Sequence, residues 1–431
     1  MRTLKSLSLM AGMGLMAMTG TVQAAPSCGP DPVVLNAYFE TGFPLPTTLA
    51  AEFTKQFPNV TFDIKKDQFA NLMENTPRLL AEDGAPDLIR LPSMSDLVAN
   101  DLLANLDGYF TEFGWDKFPA GQLVQLRVED GGRPRGNGSL YAMGLNYSMT
   151  GVFYNKELAA QLGMTEPPKS LAELDALLAK AKEAGVLPIM QWNKGTGGLA
   201  FPLQDLMGAY GPPEPINDWI FQKDGASINT EDNVQAAEHL EGWVKAGYFP
   251  SDANAIEYFQ MMSRFIGGEG LLMFNGDWES GNFDKNAAGK FGFFLMPPEA
   301  EGGRHAAMSA PLTYGIGAKA VNKDCAAFFL NWVATNPEAR RINVDVGGSN
   351  PGGPADLPIP EVAPGTVTAD SLAAGGVVAA ENGAMDFIAN ATGAIFAAGW
   401  TPELQKLVGG VQTGKGLIEA VQQEYEKELS R

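Results

Sequence analysis

The chain has 431 residues, 45% of them hydrophobic and 19% charged, so it can bury a large core and is long enough for two or three domains of ~150 residues each. Its 50 acidic against 30 basic residues give a net charge of −20. Such a surface repels phosphate backbones and anionic bilayers and argues against nucleic acid as a partner.

Arg2 and Lys5 precede an apolar run from Leu7 to Met18, and Val22-Gln23-Ala24 offers a small-residue cleavage site. This is the pattern of a secretory signal over residues 1–24, with the mature chain beginning at Ala25. The apolar run is too short to span a bilayer. Cys28 follows closely, but Ala25-Pro26-Ser27 lacks the aliphatic residue expected of a lipid-anchored start. Cys325 is the only other cysteine. Two cysteines in an exported chain suggest a disulfide if their Cα atoms come within ~7 Å, and the sequence leaves that open.

Val33 to Phe39 reads as a strand ending at Glu40-Thr41-Gly42, and Thr47 to Gln56 as a helix. Val60 to Lys65 predicts a second strand running into Asp67 and Gln68. A helix reaches Glu82, with Pro77 either kinking it or opening its second part. Asp87 to Leu91 predicts a third strand, and Ser93 to Leu106 a helix. Strand–helix–strand units of this length imply a parallel sheet with right-handed crossovers.

The Gly/Arg-rich loop Glu129 to Ser139 marks a change. Leu140 to Tyr147 and Val152 to Lys156 follow, then a helix from Glu157 to Gly163. Ser170 with Glu173 forms a capping box for a helix whose buried stripe is Leu171, Leu174, Leu177 and Leu178. Val186 to Met190 predicts a strand entering Gln191-Trp192, and Asn233 to Ala246 a helix. Leu271 to Phe274 is a short apolar strand, Asn275-Gly276 a turn pair, and Asp277-Trp278-Glu279 stands where that strand ends. Phe291 to Met296 and Tyr314 to Ala318 are further strands, and Lys323 to Thr335 a helix. The Gly/Pro-dense stretch from Gly347 to Pro364 is a crossing loop, and the last helix runs from Gly416 to Glu428.

Four segments, Gly84–Leu88, Val152–Leu158, Pro167–Leu174 and Gly268–Trp278, together with Val321–Leu330 and Gly410–Glu426, resemble the family-1 extracellular solute-binding proteins of bacterial ABC transporters. The resemblance covers nearly the whole mature chain, and its weight lies in the order and spacing of the pieces. It implies an α/β, two-lobed periplasmic binding protein fold, each lobe a mainly parallel sheet flanked by helices, joined by a multi-crossing hinge. Transferred here, lobe I holds 25–143 plus 303–346 and lobe II holds 144–302 plus 347–431. Cys28 and Cys325 then fall in one lobe, which favours a disulfide between them. A carbohydrate ligand, permease subunits in the inner membrane, a monomeric state and a periplasmic location are further expectations, with no cofactor and no metal.

A sugar needs an aromatic face for its C–H side, and planar donors and acceptors for its hydroxyls. Strand ends supply the candidates. In the first lobe these are Glu40, Thr41, Asp67, Gln68 and Ser95, where the alternatives are a solvated turn or a helix cap. Tyr147, just past the hinge, is a core residue or a platform. In the second lobe Gln191, Trp192, Asp277 and Trp278 stand at strand ends, and the resemblance implies that Trp278 stacks on sugar. Thr313 lies on the return to the first lobe. Trp400 resembles a late cleft aromatic, against a role in helix packing. Arg90, Arg264 and Arg304 keep open a polyol or a sugar or glycerol phosphate as ligand. A carboxylate pair drawn from Glu40, Asp277 and Glu279 would be needed for the remote alternative, a glycoside hydrolase. Neither a Ser-His-Asp arrangement nor a phosphate-binding loop can be assembled around His239, His305 or Gly414-Lys415-Gly416. No enzyme activity is expected.

Overall fold

Ten strands organise the chain: β1 (Val33–Glu40), β2 (Val60–Asp67), β3 (Leu88–Arg90), β4 (Arg127–Val128), β5 (Ser139–Leu140), β6 (Ala142–Asn155), β7 (Leu272–Gly276), β8 (Phe291–Phe294), β9 (Ala307–Gly315) and β10 (Ala384–Met385). The computed structural model describes residues 27–195 and 197–430. The signal segment expected over 1–24 lies outside the described residues. The main sheet runs β2-β1-β3-β9-β6-β7, with β8 also pairing β6 and β10 pairing β9.

β1 lies parallel to both β2 and β3, as the strand–helix spacing predicts. Its register sets Glu40 opposite Asp67, so both carboxylates arrive at the same edge of the sheet. Arg90, the last residue of β3, pairs with Tyr314 of antiparallel β9.

β6 differs from its reading as two pieces. It is one 14-residue strand with an irregularity between Gly144 and Tyr147. Its start pairs with Thr313 to Gly315 of β9, its middle with Ser309 to Pro311, and its end with β7 and β8. β9 makes the same passage in reverse, and Tyr147 N–H donates to Asn350 O (2.8 Å) in a third passing segment. Two separate apolar cores result. One gathers side chains from Leu35 to Leu145 and from Tyr314 to Ile342. The other gathers Met149 to Met308 and Val367 to Tyr425.

Several local expectations change. β7 and β8 both run antiparallel to β6, so the sheet of the second core is not mainly parallel. Asn275-Gly276 stays in β7, and the chain turns one residue later, through the 3₁₀ turn Asp277–Glu279. The helix expected over Ser93 to Leu106 is only Ser95–Ala99, because Asp101 adopts a left-handed conformation (φ 53°) that stops it. Val186 to Met190 forms one parallel bridge, Ile189 to Leu272; Pro188 has no N–H to extend it. Ser170 caps Leu171–Glu183 by accepting from Glu173 N–H, while the Glu173 carboxylate reaches back to Lys169 N–H (2.8 Å). Cys28 and Cys325 are joined by a disulfide. No described helix is long and apolar enough to cross a membrane.

Candidate functional site

The first wall of the site is built from the ends of β1, β3 and β9. The Glu40 carboxylate lies 3.5 Å from Arg90 Nε, and burial holds its pKa above the usual range although Arg90 pulls the other way. Arg90 Nη1 donates to Leu91 O (2.6 Å), and the guanidinium sits 5.8 Å from the centre of the Phe69 ring. Buried Tyr314 Oη stands near the same pair and has no partner among the described residues.

The other predicted residues of this wall serve local structure. Thr41 N–H donates to Asp67 O (2.8 Å). The Asp67 carboxylate accepts from Asn71 (2.6 Å), Tyr38 Oη (2.8 Å) and Gln68 N–H (2.8 Å), and these bonds lower its pKa. Gln68 is exposed at the start of Phe69–Ala81. Ser95 is buried with Oγ unpartnered among the described residues, and Thr313 Oγ1 donates to Pro311 O (3.1 Å).

The second wall is aromatic. Trp278 is half-buried; its Nε1–H donates to Tyr258 Oη (2.7 Å), and its ring tilts against Phe201 at 5.8 Å. Phe201 in turn stacks on Phe387 (5.3 Å) and tilts against Trp192 (5.3 Å). Tyr258 Oη donates to Glu279 Oε1 (2.6 Å), which fixes the phenol that holds Trp278. The walls touch where the Phe43 ring comes within 6.4 Å of Tyr258 and Gly42 lies against Phe259.

Between the cores lie two adjoining compartments that share Pro92, Ser93 and Asn390. The larger is lined mainly by apolar groups, among them Phe69, Met73, Leu97 and Ala389, with Asp96 and Asn390 among its polar members. The smaller is polar and is lined by Gln125, Arg135, Asp386 and Thr313 beside the crossing strands. Of the predicted residues only Thr313 lines either compartment. Sequence reasoning missed Gln125, Arg135, Asp386 and Asn390. Arg135 lies in the Gly/Arg-rich loop already visible in the sequence; Asp386 sits in a stretch with no signal beyond two flanking apolar residues.

The descriptive model of the bacterial extracellular solute-binding proteins matches residues 48–355. This chain belongs to that family. The solute-binding protein is 25% identical over 317 residues to a maltotriose-binding protein of Pyrococcus abyssi, a match covering 70% of this chain and 62% of that relative. The chain therefore spans less than two thirds of that relative's length. Its fold resembles a chitin oligosaccharide binding protein (TM-score 0.76, 19% identity, 93% of this chain and 100% of that one). It also resembles a maltose-bound protein of T. maritima (TM-score 0.73, 17% identity, 92% and 99%). These structural likenesses establish the two-lobed fold.

Four more predicted residues of this solute-binding protein lie inside its walls. Asp277 is buried between β6 and the third passing segment, accepting from Met149 N–H (3.2 Å) and Ser349 Oγ (2.9 Å), and Ser349 Oγ lies 3.0 Å from Ser148 Oγ. Burial raises the Asp277 pKa to about 7, outweighing these hydrogen bonds. Tyr147 donates to Gln122 O (3.0 Å) and lays its ring over Gly352. Gln191 donates to Gly198 O (3.0 Å) and Phe274 O (2.9 Å) and accepts from Phe274 N–H (3.2 Å), which ties β7 to the loop beside it. Trp400 is fully buried against Trp219 (5.9 Å) and donates to Ile388 O (3.2 Å), so its ring packs helices together.

Proposed function

We propose that this protein is the periplasmic receptor of an ABC importer, holding a mono- or oligosaccharide between its lobes and delivering it to the membrane permease. The observation that carries this reading is the cleft itself: two separate cores are joined through crossing segments and face each other across compartments lined from both sides. We take the lobes as 25–143 plus 303–346 and 144–302 plus 347–431, a division that the two cores support although Ala306 to Met308 pack with the second core. A ligand touching both walls favours the closed arrangement, because only differential binding shifts such an equilibrium. Thr313, which lines the smaller compartment, is the predicted residue best placed to touch it, with Glu40 and Trp278 on the two walls.

A neutral sugar fits better than a phosphate. Arg90 is matched by Glu40, and Arg264 by Asp252 and Glu269. Arg304 is committed to Gly211 O (3.1 Å). Of the three arginines singled out, two are thus matched by carboxylates, and Arg304 lines neither compartment. The carboxylates considered for hydrolysis are equally committed: Asp277 at the crossings, Glu279 to Tyr258 and Glu40 to Arg90. The reading is thus of a binder without catalysis, acting as a monomer.

A thermal-shift screen with maltose, maltotriose, raffinose, chitin oligosaccharides, free hexoses, polyols and glycerol 3-phosphate tests it. A sugar present at 100 times its Kd stabilises the protein by about 2.7 kcal/mol through mass action. A shift with sugar alone supports the proposal; a shift only with glycerol 3-phosphate transfers the site to anionic ligands. Turnover of the bound sugar on prolonged incubation would replace the receptor with a hydrolase.

A further inference from the structure

The Glu129–Ser139 loop leaves the first core at Val128 and returns to it at Leu140, both fully buried there and linked through the β4–β5 pair. Its tip, however, lies in the second core. Arg135 N–H donates to Phe221 O (2.8 Å), Gly136 packs against the Phe221 ring, and Arg133 Nη1 donates to Leu429 O (3.0 Å). The Arg135 side chain is 4% exposed and the Asp386 side chain 2%, and the two form an ion pair at 2.9 Å. The same guanidinium donates to Asn390 O (3.1 Å) and to Gln125 O (3.0 Å), and lies 5.3 Å from the centre of the Phe221 ring.

Asp386 is held firmly for this purpose. Its other oxygen accepts from Phe387 N–H (2.6 Å) and Asn390 Nδ2 (3.0 Å), and its backbone is bonded to Asn217 and Gln204. A charge pair this dry is costly to separate, since either partner left alone would be a buried uncompensated ion. Arg135 thus joins the two lobes beside the crossing strands, in the wall of the smaller compartment.

Two polar atoms in this cluster have no partner among the described residues. Arg135 Nε is a donor, and Gln125 Oε1 is an acceptor whose side chain is aimed by its Nε2–H bond to Ser309 O (2.7 Å). Both residues are at least nine-tenths buried and both line the smaller compartment. Buried donors and acceptors are almost always satisfied, so an unused pair of opposite kind marks a place where a ligand group belongs. A hydroxyl can meet either requirement, because it both donates and accepts. An anion fits poorly: the Asp386 carboxylate already neutralises the only cation lining the compartment.

We propose that the Glu129–Ser139 loop is a strap that holds the lobes together through Arg135 and Asp386, and that Arg135 and Gln125 read an uncharged hydroxyl at the deep end of the ligand. This rests on the proposed sugar cleft for the ligand but not for the strap. The strap makes lobe opening require the breaking of a buried ion pair; the unused atoms make the same residue a determinant of specificity.

Small-angle scattering of the protein without sugar tests the strap. Arg135→Met keeps the apolar stem over Phe221 and removes the charge; Asp386→Asn is the near-isosteric partner change. Each is expected to raise the radius of gyration and maximum dimension, with far-UV circular dichroism unchanged. Unchanged dimensions in whichever of the two folds overturn the strap. The ligand arm uses any sugar of the screen that raises the wild-type Tm. Arg135→Lys keeps a cation for Asp386 but loses the guanidinium fork. It is expected to preserve the wild-type dimensions yet bind that sugar about tenfold or more weakly by calorimetry, as is Gln125→Met. Wild-type affinity in both variants overturns the hydroxyl-reading role. Silence of every sugar against the wild type overturns the sugar cleft and with it that role, while the scattering result still decides the strap.

Discussion

The indole of Trp278 lies across Gly276, so that a Cβ built on Gly276 would stand 1.9 Å from Trp278 Cζ3. Glycine at the end of β7 is therefore the condition for the ring to fold back over the strand and present its other face. Gly276→Ala should drive the indole out of place and cost about 1–3 kcal/mol of stability by overpacking. Trp278→Ala should weaken sugar binding more than tenfold with the fold retained. The two are coupled: with Trp278 already alanine, adding Gly276→Ala should cost little, which a double-mutant cycle of denaturation midpoints measures. Calorimetry showing unchanged affinity in Trp278→Ala would remove the stacking role.

Tyr258 gives the second prediction. Its hydroxyl accepts from Trp278 Nε1–H and donates to Glu279 Oε1, so one oxygen orients the aromatic wall and satisfies a buried carboxylate. Tyr258→Phe keeps the ring contacts with Trp192 and Phe43 but leaves Trp278 Nε1–H and Glu279 Oε1 without their partner, while Glu279 Oε2 keeps Asn282 Nδ2 (2.8 Å). The expected loss is about 1–3 kcal/mol of stability together with weaker sugar binding. Adding Glu279→Gln should recover part of the stability, since a neutral amide tolerates the missing donor better than a buried carboxylate. Urea denaturation of the single and double variants reads the difference.

The strand ends of the first lobe were legible because period-two burial and turn residues mark them locally. Glu40 and Arg90 do face one another there. The family pattern around Trp278 was equally readable, as was the capping box at Ser170. What local pattern cannot convey is which way a strand-end side chain is spent. Asp277 and Gln191 look like cleft residues by position, yet their polar atoms are used to bind backbone inside the second core. Trp400 is drawn into helix packing by Trp219, which lies far away in sequence. The Arg135–Asp386 pair spans a separation of 251 residues, and nothing in either neighbourhood announces the other. The sheet direction in the second lobe was misread for a related reason: β6 is a long crossing strand, and its antiparallel partners β7 and β8 come from remote segments.

The disulfide supplies a third prediction. Cys28 lies just ahead of β1 and Cys325 in the helix Lys323–Thr335, with a sequence separation of 297. Closing so long a loop restricts the unfolded chain by up to about 5 kcal/mol in the chain-entropy account. The double variant Cys28→Ser/Cys325→Ser should lower the Tm by several degrees and leave sugar affinity unchanged, because the bridge stays within the first lobe and away from the compartments. Scanning calorimetry with and without reductant should show the same loss in the wild type and no reductant effect in the variant.

The pH dependence of stability follows from two buried carboxyls that accept hydrogen bonds from the crossing strand β6. Asp277 accepts from Met149 N–H, and Asp205 accepts from Thr150 Oγ1 (2.7 Å); burial raises each pKa to about 7. Neither faces a cation: Asp277 meets Ser148, Ser349 and the backbone, and Asp205 meets Thr150. In the unfolded chain both titrate near 3.8. Between these values the native state holds more protons than the unfolded state. The stability they contribute is fully present below the unfolded pKa and is lost as pH rises through about 7. For one such group the loss between pH 5 and pH 8 is about 2–3 kcal/mol. Carboxylates such as Asp67 and Glu241, whose hydrogen bonds lower their pKa, act in the opposite sense only at more acid pH. Asp277→Asn keeps an acceptor for Met149 N–H and cannot ionise, so it should flatten the decline by that amount. Urea titrations of wild type and variant at pH 5 and pH 8 check it: the variant should gain relative to the wild type at pH 8, and an equal difference at both pH values would show that Asp277 does not titrate in this window.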